Sequence, residues 1–227
     1  MEKGEYDGRW FREDFQKDEN NNQKKAERIW SEEEATAIIE RCNGREGVVE
    51  ETRKPQRQSP ERLFDLTSLQ REASSKHGFS ARRTLQLAQA LYDRHKLLTY
   101  PRTDSRYLPE DYVDTVKETI GTFASAKPNA AFEATFPQCA KWIMDNDRVQ
   151  PSKRVFDTKK VSDHFAIIPT GKTPTAKLDE DAKKIYNLVL RQFLAIFYPP
   201  AEFEVTQRIT RIGEDCFKTD GKVLVVP

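Results

Sequence analysis

The chain has 227 residues, 37% hydrophobic and 33% charged, with a mean hydropathy of −0.81 and a net charge of +1. That length supports one large core or two small ones. No run approaches the roughly 20 apolar residues of a membrane span, and Met1-Glu2-Lys3-Gly4-Glu5 offers no apolar secretory leader. Cys42, Cys139 and Cys216 are far apart and form no C-x-x-C pair, which argues against a zinc ribbon or a disulfide framework. Free thiols without a leader fit the cytoplasm. The charge is unevenly spread: Arg53 to Arg106 holds twelve Lys/Arg against five Asp/Glu, a local +7 that leaves −6 for the rest. A local basic region suits a polyanion, although a solvated mixed-charge surface has the same composition.

In chain order, residues 6–11 read as a short strand and the polar stretch 13–28, with Asn20-Asn21-Asn22 at its centre, as a loop. Ser31-x-x-Glu34 has the form of a capping box that starts a helix at Glu32, and Asn43-Gly44 ends it. Gly47–Thr52 reads as a strand. Arg53–Pro60, with two prolines and little apolar content, reads as a domain boundary. Thr67-Ser68-Leu69-Gln70 looks like a second capping box, opening a helix that ends at His77-Gly78. Ser80 caps a helix over Ala81–His95 with a core stripe of Leu85, Ala88, Leu91 and Tyr92. Two helices joined by a short glycine-containing turn have the form of a helix-turn-helix, a spacing that ordinary helical hairpins share.

Farther on, Pro109 suits the first turn of a helix reaching Thr122, and another helix is expected around Gln138–Asn146. Asp179 caps an amphipathic helix carrying Ile185, Leu188, Val189, Phe193 and Ile196, which Tyr198-Pro199-Pro200 stops. The period then changes to two, with Phe203, Val205, Gln207 and Ile209 on one side of a strand. Asp220-Gly221 reads as a tight turn before Val223–Val226. The expected class is α+β: a mostly helical domain, 60–198, inserted into a small β-rich one built from 1–59 and 199–227.

The chemistry concentrates in Leu97-Leu98-Thr99-Tyr100-Pro101-Arg102-Thr103-Asp104-Ser105. Pro101 pushes Tyr100 toward extended backbone. Arg102 then lies on the same side as Tyr100, two residues on. A phenol with an ordinary pKa of about 10 needs help to act as a nucleophile. A fixed guanidinium stabilises the phenolate and grips phosphate oxygens that gain charge during transfer. Asp104 is placed to orient Arg102 or relay a proton. Arg82 and Arg83 sit at the positive end of their helix, where a docked phosphate would offset the unfavourable dipole.

Thr99–Ser105 resembles the active-site motif of the type IA DNA topoisomerases, in the form typical of the bacterial topoisomerase III branch. Phe64–Ala73, Gly78-Phe79-Ser80-Ala81, Thr84-Leu85, Ala88–Tyr92 and Ser162–Thr170 are similar to further family blocks, in the right order over roughly residues 60–170. The flanks resemble the β-rich hinge domain of the family more weakly. The resemblance implies that Tyr100 attacks single-stranded DNA to form a 5′-phosphotyrosyl link. Arg102 would then hold the scissile phosphate and His164 would act near it. Arg82, Arg83, Thr103, Asp104 and Ser105 are carried over as DNA contacts. The family often has a second histidine after the first; here it is Phe165.

The same resemblance implies religation without ATP. Consistently, Gly171-Lys172-Thr173 lacks the upstream glycine of a P-loop, Ala166 standing there. It implies Mg²⁺ held by an acidic cluster that is not in this chain, with the metal-binding and ring-closing domains also missing. The expectation is therefore a fragment that folds but cleaves DNA poorly by itself, acting in the cytoplasm at the nucleoid. The alternative is a non-catalytic helix-turn-helix module that binds duplex DNA.

Overall fold

The structure is a computed structural model that describes residues 4–16, 24–174 and 178–226. The asparagine run at 20–22 lies outside the described residues. The class is α+β, as expected, and the chain forms two compact units: Met1–Gln58 with Pro200–Pro227, and Ser59–Pro199. Among the described residues no helix is long and apolar enough to cross a membrane.

The first unit contains β1 (Arg9–Phe11), α1 (Glu32–Cys42), β2 (Val48–Gln58), β3 (Ala201–Ile212) and β4 (Asp215–Val226). The strands form one antiparallel sheet in the order β1-β4-β3-β2. Helix α1 starts where expected: Ser31 accepts from the Glu34 amide, and three glutamates occupy the positive first turn.

Two expectations fail here. The strand expected to end at Thr52 runs on to Gln58, since β2 stays paired with β3 from Val48↔Arg211 to Gln58↔Ala201, and the division between the units at Gln58/Ser59 falls inside the Arg53–Pro60 segment read as a boundary. Its charged residues are cross-strand partners: Arg57 with Glu202, Arg53 with Glu204, Glu51 with Arg208, Glu50 with Arg211. Pro55 is tolerated because β2 is an edge strand. The turn expected at Asp220-Gly221 is instead continuous β4, with Gly221 opposite Thr206. The reversal lies at Gly213-Glu214, between the paired Ile212 and Asp215, and Gly213 supplies the positive φ of 61° that a two-residue hairpin requires.

Among the described residues of this unit only Ile38, Asp215 and Cys216 are fully buried. A polar knot does part of the holding. Arg41 donates twice to the Asp215 carboxylate, at 2.9 and 3.0 Å, and the Trp10 indole donates at 3.1 Å. These bonds join α1 and β1 to the start of β4, and with Cys42 they hold the Asp215 carboxyl below its ordinary pKa, Arg41 contributing most.

The second unit is helical: α2 (Leu66–His77), α3 (Ala81–Asp93), α4 (Val113–Ala124), α5 (Thr135–Asp145) and α6 (Glu180–Ala195). Short 3₁₀ turns occupy Glu110–Tyr112 and Thr158–Lys160. The N-cap of α2 is Asp65, not Thr67, because Asp65 accepts from the Ser68 amide while Ser68 accepts from the Asp65 amide. Gly78, at φ 69°, terminates α2, and Ser80 caps α3. The buried stripe of α3 is Thr84, Leu87, Ala88 and Leu91. Leu85 and Tyr92, expected in it, are half-buried, because the facing α2 and α6 cover a face rotated from the one the leucine spacing suggested.

Helices α2, α3 and α6 pack together, and α4 lies on α5. The core between them is aromatic and aliphatic, with Phe123, Phe132, Tyr186 and Phe193 wholly enclosed. Each such ring contributes about 1.5–3 kcal/mol relative to exposure. Burial pushes the Tyr186 phenol far above its ordinary pKa, so it stays a donor, to the Lys172 carbonyl at 3.1 Å.

Candidate active site

After α3 the chain reverses through Lys96, a non-glycine residue at φ 53°. The Leu97 amide bonds back to the Leu91 carbonyl at 2.9 Å, closing a seven-residue turn one residue wider than a Schellman motif. Leu97 and Leu98 are buried and anchor the start of the Thr99–Ser105 segment. The next residues are held between two other segments, with a bend at Pro101. The Thr99 amide donates to Ile168 O, and the Thr99 hydroxyl donates to Ala166 O and accepts from the Ile168 amide, all within 3.0 Å. On the other side, the Leu66 amide donates to Thr103 O at 3.0 Å, tying the segment to the start of α2.

The consequence is strand-like alternation outside any sheet. Pro101, Thr103 and Ser105 are buried; Arg102 and Asp104 are exposed and Tyr100 is half-buried. The inward hydroxyls are satisfied: Thr103 donates to His164 O at 2.9 Å and accepts from the Ser105 amide, while Ser105 donates to Lys160 O at 2.9 Å. These two residues sit behind the site, turned away from solvent, and support the segment.

The outward residues are Tyr100, Arg102 and Asp104. The Tyr100 ring centroid is 4.3 Å from that of His164, tilted by 47°, and 5.4 Å from that of Tyr92, nearly edge-on at 78°. The phenol is thus held by rings on two sides at packing distances that favour defined orientation. Lys96 Nζ lies 5.4 Å over the far ring, Tyr92. Arg102 Nε donates to Gln89 Oε1 at 3.3 Å, so the guanidinium is oriented from α3.

Asp104 does not orient Arg102; it accepts from the Ser162 hydroxyl at 2.5 Å. Arg83 is paired with Asp181 at 2.9 Å, so a carboxylate from the first turn of α6 offsets its charge at the α3 N-terminus. Arg82, next to it, is exposed. Phe165, in the place of the family's second histidine, packs on Tyr112 with centroids 4.8 Å apart.

The structure stacks Tyr100 between His164 and Tyr92 and bonds Arg102 to Gln89, so that Tyr92 and Gln89 join the predicted residues. No local spacing signals these last two: they are eight and thirteen residues from their partners, across the Lys96 reversal. Among the described residues no group of three or more His, Cys, Asp or Glu side chains is arranged to hold a metal ion.

Similarity to known proteins names the class. A sequence model of the DNA topoisomerase family matches residues 9–227. The chain belongs to the type IA DNA topoisomerase family.

Among its relatives is a DNA topoisomerase 3 of Bacillus cereus (strain ATCC 14579), 37% identical over 200 residues, which are 87% of this chain and 26% of that protein. The DNA topoisomerase 3 of Bacillus subtilis (strain 168) is 36% identical over 202 residues, 88% of this chain and 26% of that protein. In structure, the chain is similar to full-length topoisomerase I from Thermotoga maritima, with a TM-score of 0.57 and 25% identity, covering 90% of this chain and 32% of that one. The chain thus spans about a quarter of the length of the curated relatives it matches.

Proposed function

We propose that this chain is the tyrosine-bearing part of a DNA strand-passing enzyme, and that Tyr100 is its nucleophile. The phenolic oxygen attacks a backbone phosphorus of single-stranded DNA. A P–O(Tyr) bond forms, the bond to the 3′ oxygen breaks, and the phenolic proton ends on that 3′ oxygen. Reversal rejoins the strand. One phosphodiester replaces another, so no nucleotide is consumed. Arg102 grips the phosphate oxygens, and His164 stands where it touches both the phenol and an incoming phosphate. The clamping of the Thr99–Ser105 segment from two sides, with Tyr100 half-buried against the His164 ring and Arg102 exposed, is the observation that carries this reading.

Mg²⁺ would be held elsewhere in the complete protein, where it would supply charge neutralisation. The metal-binding and ring-closing domains are partners this reading requires. The β-rich unit serves as hinge, lifting the helical unit and its attached strand, at the nucleoid in the cytoplasm.

The test is incubation with end-labelled single-stranded DNA, with and without Mg²⁺, read on native and denaturing gels. The 227-residue chain should shift the DNA without a band that survives denaturation. The complete protein should give such a band, and Tyr100→Phe should remove it. A surviving band from the Tyr100→Phe protein would refute the assignment of the nucleophile.

A further inference from the structure

A groove of about 840 Å³ runs along the exposed side of α3, and Arg102 lies on its lining together with α3 residues. Its floor is a stripe at helical spacing, Arg82, Gln86, Gln89 and Asp93, opposite the buried Thr84, Leu87, Ala88 and Leu91. The stripe covers about 17 Å at 1.5 Å per residue. Arg94 and His95 close one end, Arg82 the other, and the Arg102–Gln89 bond links the groove to the Tyr100 segment.

The charges are arranged for a polyanion. Arg83 is committed to Asp181, whereas Arg82, Arg94 and Arg102 are in no ion pair among the described residues. Of the two carboxylates on the lining, Asp179 caps α6 by accepting from the Ala182 amide at 3.3 Å, and Asp93 lies beside Arg94. The cations stand at the ends and along one wall, and uncharged amides occupy the middle. Gln86 is exposed and Gln89 half-buried, and each amide carries both donors and acceptors. An unstacked strand has that same division, with phosphates on one side and base edges on the other.

We infer that this groove is a track for the single strand flanking the reacting phosphate, with Arg82 and Arg94 on its backbone and Gln86 and Gln89 facing its bases. The inference rests on the transesterase reading of Tyr100 and gives it a physical need. Once the strand is cut, the piece joined to Tyr100 is attached to this unit, and a second grip beside the covalent bond stops it swinging out of register for religation.

The experiment is fluorescence anisotropy of a labelled single-stranded oligonucleotide titrated with the 227-residue chain at several salt concentrations. Arg82→Ala/Arg94→Ala should lose at least tenfold in affinity. Its slope of log K against log salt should be shallower by about 1.4, at roughly 0.7 per phosphate contact on a single strand. Arg191→Ala, an exposed cation paired with Glu133 elsewhere on the unit, should bind as the unaltered chain does. All three residues are exposed, and far-UV circular dichroism confirms that the variants are folded. Unchanged affinity and slope in the double variant overturn the proposal, as does absence of binding by the unaltered chain or an equal loss on a duplex of the same length. The covalent band of the complete protein reports on the nucleophile in a different assay, so failure of the track and failure of the nucleophile assignment are separately visible.

Discussion

The hydroxyl of Thr103 donates to the backbone carbonyl of His164 at 2.9 Å while accepting from the amide of Ser105 at 3.0 Å. One buried side chain therefore fixes the distance between the segment that carries Tyr100 and the segment that carries His164. Thr103→Val keeps the shape and removes both bonds, leaving a carbonyl and a buried amide unpaired. A destabilisation of about 1–3 kcal/mol is expected in urea unfolding followed by circular dichroism. Thr103→Ser, which keeps the hydroxyl, should recover most of it; an equal loss in both variants would show that the methyl packing matters and the hydrogen bonds do not.

Arg102 is exposed and bonded only to Gln89 among the described residues, so its removal should leave stability almost untouched. In the complete enzyme Arg102→Ala should lower strand cleavage by about 10²–10³-fold, the usual cost of removing one preorganised donor from a developing charge. Arg102→Lys should recover only part, since an ammonium lacks the planar fork that binds two phosphate oxygens at once. Cleavage rates within threefold of the unaltered enzyme in Arg102→Ala would remove it from the reaction.

The hairpin reversal can be checked with two alanines. Gly213 has φ 61°, and a methyl group added there would point into open space, so Gly213→Ala suffers backbone strain alone, about 1–2 kcal/mol. Gly221 lies within β4, where an added methyl would meet Thr206 at an ordinary 3.8 Å. Gly221→Ala should be neutral or stabilising by up to about 1 kcal/mol. The reverse ranking of melting temperatures would return the turn to Asp220-Gly221.

Asp215 gives the β-rich unit an acid-sensitive joint. Its folded pKa is depressed, first by Arg41, so its contribution is present above the unfolded value of about 3.9 and is lost as pH falls through the lower folded value. Asp215→Asn should destabilise this unit at pH 7 and flatten its stability between pH 4 and the acid limit. Parallel pH profiles for the two proteins would show that the carboxylate is not the group being titrated.

The elements with local punctuation were readable in the residues. Ser31, Ser80 and Asp179 each cap the helix they precede, and Gly78 ends one, because a cap needs only neighbours within four positions. The sheet was less readable. Arg53 to Gln58 lacks an apolar alternation because β2 is solvated, and only its partners on β3, some 150 positions away, show why its charges are there. Asp220-Gly221 and Gly213-Glu214 are both plausible turns, and the strand register chooses between them. At the site, the alternation of buried and exposed residues from Pro101 to Ser105 followed from the expected extended backbone, with a bend at Pro101. The rings around Tyr100 and the Gln89 grip on Arg102 did not, since both depend on how the Lys96 reversal returns the chain to α3.

The register that ends at Gln58↔Ala201 has a further consequence for how the protein is made. The two strands leave the sheet side by side, and all of Ser59–Pro199 is synthesised between them. Closing a flexible loop of that length costs about 4 kcal/mol beyond a constant. That cost falls when the inserted unit is already compact. The nascent chain should therefore acquire its helical unit first, with β2 waiting unpaired until β3 emerges. The charges along β2 then serve a second purpose, keeping a lone strand soluble during the interval before its partner arrives.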